Sequence, residues 1–101
     1  MHARISTYTG EAEALSEGFR SATQSLESIP GFSHGYFLVD RANNKGTSIT
    51  IWESEDALRA SSSRAEELRK GAADSAGGTV ESVENYEIVF TAGAKTDTMG
   101  S

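Results

Sequence analysis

Two histidines, one tryptophan and three tyrosines hold most of this chain's capacity for chemistry near neutral pH. His34 precedes an apolar run and could serve as a general base or proton shuttle, because imidazole changes charge in the physiological range. The alternative is a strand-end histidine that is partly exposed or hydrogen-bonded. His2 stands next to the first residue, where order is least expected. Trp52 could wall a pocket for a flat aromatic ligand, or pack in the core like any large apolar group. Tyr36 and Tyr86 could hydrogen-bond a phenolic group, and Asn85 or Arg4 could stabilise a developing oxyanion. No spacing forces any two of these residues into one site.

Other chemistries are excluded by type or pattern. The absence of cysteine removes thiolate catalysis, disulfides and zinc fingers together and fits a reducing compartment. Ser61-Ser62-Ser63 lacks a Gly-x-Ser-x-Gly elbow, Gly77-Gly78 lacks a phosphate-loop pattern, and no metal-ligand spacing occurs. Glu66 and Glu67 read as a solvated helix face. The formal net charge is −6 and the nine Lys and Arg are scattered, which argues against nucleic acid and anionic membranes as partners. No apolar run approaches the ~20 residues of a membrane span, and Met1-His2-Ala3-Arg4 does not open a signal peptide, so the expected address is the cytoplasm.

The elements that must position the candidates follow from patterning. Residues 3–8 mix β-branched and aromatic types and predict a first strand. Thr9-Gly10 opens a helix with Glu11 and Glu13 in its first turn. Its apolar stripe is Ala12, Leu15, Phe19, Ala22, Leu26 and Ile29, and Pro30-Gly31 ends it. Phe32 to Arg41 predicts a second strand, Asn43-Asn44-Lys45-Gly46 a turn, and Thr47 to Glu53 the other arm of a hairpin. Ser54 caps a second helix whose stripe (Ala57/Leu58, Ser61, Ala65, Leu68, Ala72) is leaner. Val80 to Thr91 predicts the last strand. The order βαββαβ defines an α+β, ferredoxin-like fold: a four-stranded antiparallel sheet with both helices on one face. At 101 residues the chain has room for one domain, expected over 1–91, with 92–101 as a flexible tail.

Large apolar groups occur at both parities of these strands, yet two helices cover only one sheet face. Ile5, Ile49, Ile51, Tyr86, Ile88 and Phe90 could share one face, with Tyr8, Trp52 and Val89 on the other. A homodimer through the uncovered face is the simplest solution, burying at least ~1,200 Å².

Pro30-Gly31-Phe32, Gly35-Tyr36-Phe37 and the run from Ile49 through Trp52-Glu53-Ser54 to Ala57-Leu58 resemble the antibiotic biosynthesis monooxygenase domain family. The resemblance covers residues 3–91 and implies a dimeric α+β barrel. It further implies oxygenation of a small electron-rich aromatic substrate (phenol or quinol type) without metal, flavin or other cofactor. On the residue chemistry above, His34 and Trp52 are then the catalytic candidates and Tyr36, Tyr86, Asn85 and Arg4 the substrate-binding ones. The reading from another class is a non-catalytic small-molecule-binding or interaction module on the same scaffold; a pocket of several hundred Å³ between helices and sheet, beside Trp52, would favour the enzyme. The family also contains haem-degrading members. By the resemblance, Ser61 stands where those enzymes carry a tryptophan, Gly71 near their iron-ligating histidine, and Ser6 and Thr7 near their asparagine. The expectation is therefore that this chain does not degrade haem.

Overall fold

The computed structural model describes residues 1–93. The elements are β1 (His2–Thr9), α1 (Ala12–Glu27), β2 (Phe32–Asp40), β3 (Lys45–Trp52), α2 (Glu55–Ala60), α3 (Ser62–Ser75) and β4 (Thr79–Glu87). The four strands form one antiparallel sheet in the order β2-β3-β1-β4, the ferredoxin-like arrangement, with the helices on one face. Of the expected tail, residues 94–101 lie outside the described residues.

Local chemistry sets the boundaries, and it explains three of the differences from expectation. Glu11 is the N-cap of α1 rather than a first-turn residue, its carboxylate accepting from the backbone N–H groups of Glu13 and Ala14. The second helix is broken at Ser61 into α2 and α3. The Ser61 hydroxyl donates to the Leu58 carbonyl at 2.7 Å, competing with the helical backbone pattern as serine does. The last strand ends at Glu87 rather than Thr91, because its one partner begins at His2, opposite Glu87. One further bond runs from the Ile88 N–H to the Met1 carbonyl, and Val89 and Phe90 are then exposed.

The hairpin and helix starts are tied together. Asn44, with φ +52°, closes the β2–β3 turn; its carbonyl accepts from Gly10 N–H and its side-chain oxygen from Ala12 N–H. Gly31 (φ +84°) passes so close to Ala57 that a Cβ there would overlap the Ala57 methyl. The first contact fixes the start of α1 at the turn end of the hairpin, and the second fixes α2 at the opposite end of the sheet.

Residues paired across antiparallel strands share a face, so the register assigns every strand side chain. Arg4, Ser6 and Tyr8 of β1 face the helices together with Ser48, Thr50 and Trp52 of β3. Ile5, Ile49, Ile51, Tyr36, Leu38 and Tyr86 face the other way, so parity placed Ile5, Ile49, Ile51 and Tyr86 correctly together and Tyr8 and Trp52 opposite them. The helix-facing core is two apolar clusters rather than one. Tyr8, Leu15, Phe19, Ala72 and Ala73 form the first, and Leu26, Trp52 and Leu58 the second, with Phe37 packed against both. Between them runs a polar band.

Candidate functional site

That band is the feature that a purely structural core would not carry. Arg4, Ser6, Ser48 and Thr50 are all buried, and burying polar groups costs free energy unless each finds a partner. The Arg4 guanidinium donates to the Leu58 carbonyl at 2.7 Å and to the Ser61 and Ser62 hydroxyls at 3.2 and 3.4 Å. The helix break at Ser61 thus supplies the acceptors that hold Arg4 in place. Arg4 also lies 5.7 Å from the Trp52 ring centroid, within cation–π range. Trp52 is fully buried, its indole N–H donating to Thr50 Oγ1 at 3.0 Å and its ring meeting Phe32 edge-on. Tyr8 shares a 3.1 Å hydrogen bond with Ser48 and stacks edge-on against Phe19.

The charges here are of one sign. Arg69 of α3 faces the same cavity as Arg4, and its Nη1 is buried without a hydrogen-bond partner. Among the described residues neither arginine belongs to an ion pair. Burial, with Arg69 as the second cause, lowers the Arg4 pKa to about 10, which leaves it protonated at neutral pH. Burial raises the Tyr8 pKa, partly offset by Ser48, Arg69 and Ser6, so its phenol stays neutral. The cavity enclosed by Arg4, Ser6, Tyr8, Ser48, Thr50, Arg69 and an apolar rim measures about 30 Å³. That is room for one or two waters. Ala22, Leu68 and Ala72 line both this cavity and a groove of about 440 Å³ between α1 and α3.

The six sequence-nominated residues fall into two groups. Arg4 and Trp52 meet in the band, and Asn85 is on their side of the sheet but exposed on the edge strand. His34, Tyr36 and Tyr86 point to the opposite face, so His34 does not face the cavity near Trp52. His34 bonds Ser33 Oγ through Nδ1 at 2.8 Å and packs edge-on against Tyr36. The Tyr86 pKa is raised chiefly by its hydrogen bond to Glu84, then by the charge of that carboxylate and least by burial. The row His34–Ile51–Ala3–Tyr86 crosses the whole sheet, which sets its ends about 14 Å apart at the usual strand spacing. Within one protomer His34 and Tyr86 therefore cannot act on one atom.

Sequence reasoning missed Tyr8, Ser6, Ser48, Thr50, Arg69 and the role of Ser61. A signal was present. Arg4, Ser6 and Tyr8 alternate on the same parity, and so do Ser48, Thr50 and Trp52: two polar rows aimed at the side the helices cover.

An antiparallel four-stranded sheet with split crossovers, covered by helices on one face and holding a polar cavity beneath them, defines the ferredoxin-like α+β class. The sequence model of the antibiotic biosynthesis monooxygenase family matches residues 1–73, and the chain belongs to that family. No curated protein sequence matches closely enough to count as a relative. Solved structures are similar in fold. SnoaB, a cofactor-independent oxygenase from Streptomyces nogalater, is 20% identical with a TM-score of 0.70 over 91% of this chain and 96% of its own. MhuD, a haem degrader from Mycobacterium tuberculosis, is 23% identical with a TM-score of 0.69 over 92% and 100%. A Streptomyces coelicolor monooxygenase in complex with nanaomycin D is 19% identical with a TM-score of 0.61 over 84% and 82%. Among the described residues no group of side chains could hold a metal ion, and no helix is long and apolar enough to cross a membrane.

Proposed function

We propose that this chain is a cofactor-independent monooxygenase acting on a small electron-rich aromatic substrate, phenol- or quinol-like, and that it works as a cytoplasmic homodimer. The observation that carries the reading is the buried polar band beside Trp52, two guanidiniums and a neutral phenol where packing alone calls for apolar side chains. Family membership and the oxygenase neighbours support it.

The chemistry asks little of the protein. A nearby cation lowers a phenol's pKa, so Arg4 and Arg69 favour the substrate anion without a dedicated base. The anion reduces molecular oxygen and combines with it, and loss of water leaves a carbonyl. A CH₂ and O₂ become C=O and H₂O, the substrate supplying all the electrons. Arg4 and Tyr8 then donate to the developing oxyanion, while Phe19, Leu26 and Phe37 exclude water. His34, Tyr36 and Tyr86 belong to the dimer contact in this reading, on a sheet face with Tyr36 and Tyr86 half exposed.

One observation favours the second reading, a non-catalytic binding module: the cavity holds only about 30 Å³, far below a typical ligand pocket. Among the described residues no histidine lines the cavity, which supports the expectation that the chain does not degrade haem. Oxygen uptake with naphthohydroquinones and anthrones separates the readings. The oxygenase consumes oxygen above the buffer rate and yields a product with one oxygen gained and two hydrogens lost. Binding without uptake on any of these compounds overturns it in favour of the module.

A further inference from the structure

The groove between α1 and α3 and the cavity beneath it have opposite electrostatic characters. Glu17 and Glu67 line the groove, whereas Arg4 and Arg69 line the cavity. Three side chains separate the two spaces, and Leu68 is the largest of them. Leu68 is only partly buried, at the margin of the Leu26–Trp52–Leu58 cluster, which makes it the side chain whose rotation would join the two spaces.

From this arrangement we propose that the ligand is an aromatic acid, bound with its carboxylate between Arg4 and Arg69 and its ring lodged past Leu68 in the groove. The inference rests on the proposed function and changes one assignment in it: the anion between the arginines is the substrate's carboxylate, and the ring with its phenol lies toward the groove. Three observations carry it. Two guanidiniums share a cavity with no carboxylate, an arrangement that Coulomb repulsion disfavours unless an anion completes it. Arg69 Nη1 is a buried donor with nothing to donate to. The cavity's volume of about 30 Å³ matches an acid group and not a ring, and the space wide enough for the rest of the ligand is the groove. The carboxylates of the groove repel an outward-facing anion and so fix the orientation. The lowered pKa of Arg4 is consistent with the same unmet need for a counter-charge.

The test uses the full chain, with 2-naphthoate and its neutral methyl ester as probes. Binding is read by thermal shift and by the fluorescence of Trp52, the chain's only tryptophan. The acid is expected to raise the melting temperature saturably and to perturb the fluorescence, with the ester at least tenfold weaker. Arg69→Gln, on a partly exposed helix position, is expected to weaken the acid by about ten- to a hundredfold, the worth of a charge-assisted hydrogen bond, and to leave the ester unchanged. Leu68→Ala is expected to tighten the acid. Equal binding of acid and ester, or an unaltered acid affinity in Arg69→Gln, overturns the proposal and leaves an uncharged aromatic site standing. Acid binding that meets these criteria with no oxygen uptake on any quinol upholds it while the oxygenase reading fails.

Discussion

Replacing Arg69 by methionine should make the ligand-free protein more stable. Arg4 is held at about 10, well under its ordinary value, and a depression of that size corresponds to about 3 kcal/mol. Burial is the larger cause and the Arg69 charge the lesser. The buried Nη1 that donates to nothing adds about 1–3 kcal/mol, the usual penalty for an unmet buried donor. Methionine retains most of the aliphatic contact of the arginine stem, so little packing is lost. Partial exposure of Arg69 reduces both gains, and the net expectation is about 1–2 kcal/mol, or at least ~4 °C in melting temperature for a domain of this size. Thermal unfolding by circular dichroism, in a buffer free of carboxylates and phosphate, measures it. Arg64→Met is the control, because Arg64 is exposed with only a 3.7 Å contact to Glu67, and should shift stability by no more than ~0.5 kcal/mol. A melting temperature for Arg69→Met at or below wild type would refute the idea that two uncompensated cations strain this cavity.

Three further outcomes are expected. Leu38→Glu, on the uncovered sheet face at a position 47% exposed, should weaken dimerisation about thirtyfold or more, since an isologous contact loses about 1 kcal/mol twice; an unchanged sedimentation profile would count against pairing through that face. Ser61→Ala removes one Arg4 acceptor and the bond to the Leu58 carbonyl, and should cost about 1–3 kcal/mol by denaturant titration. Because the folded state holds the Tyr8 proton more tightly than the unfolded chain, Tyr8 contributes stability below its ordinary pKa near 10 that is lost as pH rises through its higher folded value. Arg4 acts in the opposite sense in that alkaline range, so the comparison that isolates Tyr8 is wild type against Tyr8→Phe, whose stability should fall less steeply above about pH 10.

The fold was legible because its signals are local and periodic. The stripe Leu15-Phe19-Leu26, the Asn43-Asn44 turn and the Ser54 cap each report on a few neighbouring residues, and each lies where patterning put it. The break at Ser61 was harder, since Ser61-Ser62-Ser63 is compatible with helix on propensity and is decided by a buried arginine 57 residues away. The site was legible only in part. Arg4 and Trp52 were singled out as individual chemical groups, and they meet. His34, Tyr36 and Tyr86 were chosen on the same basis, but the cross-strand register that turns them to the other face is a long-range property. Arg69 carried no signal, because an arginine on a polar helix resembles any solvated one until the sheet beneath it is known to be polar.

The division of the core into two apolar clusters has a consequence for motion. Each cluster ties a different part of the chain together: Tyr8, Leu15 and Phe19 join the start of α1 to the α3 terminus, while Leu26, Trp52 and Leu58 join the end of α1 to α2. Phe37 touches both clusters, and α1 and α3 each reach both, but the layer between them is hydroxyls and guanidiniums rather than close-packed apolar side chains. Amide hydrogen exchange should therefore occur through two separable openings, one for each cluster, rather than through a single global event. In such a molecule the α1–α3 end can part and reclose over the arginines while Trp52 and α2 keep their places.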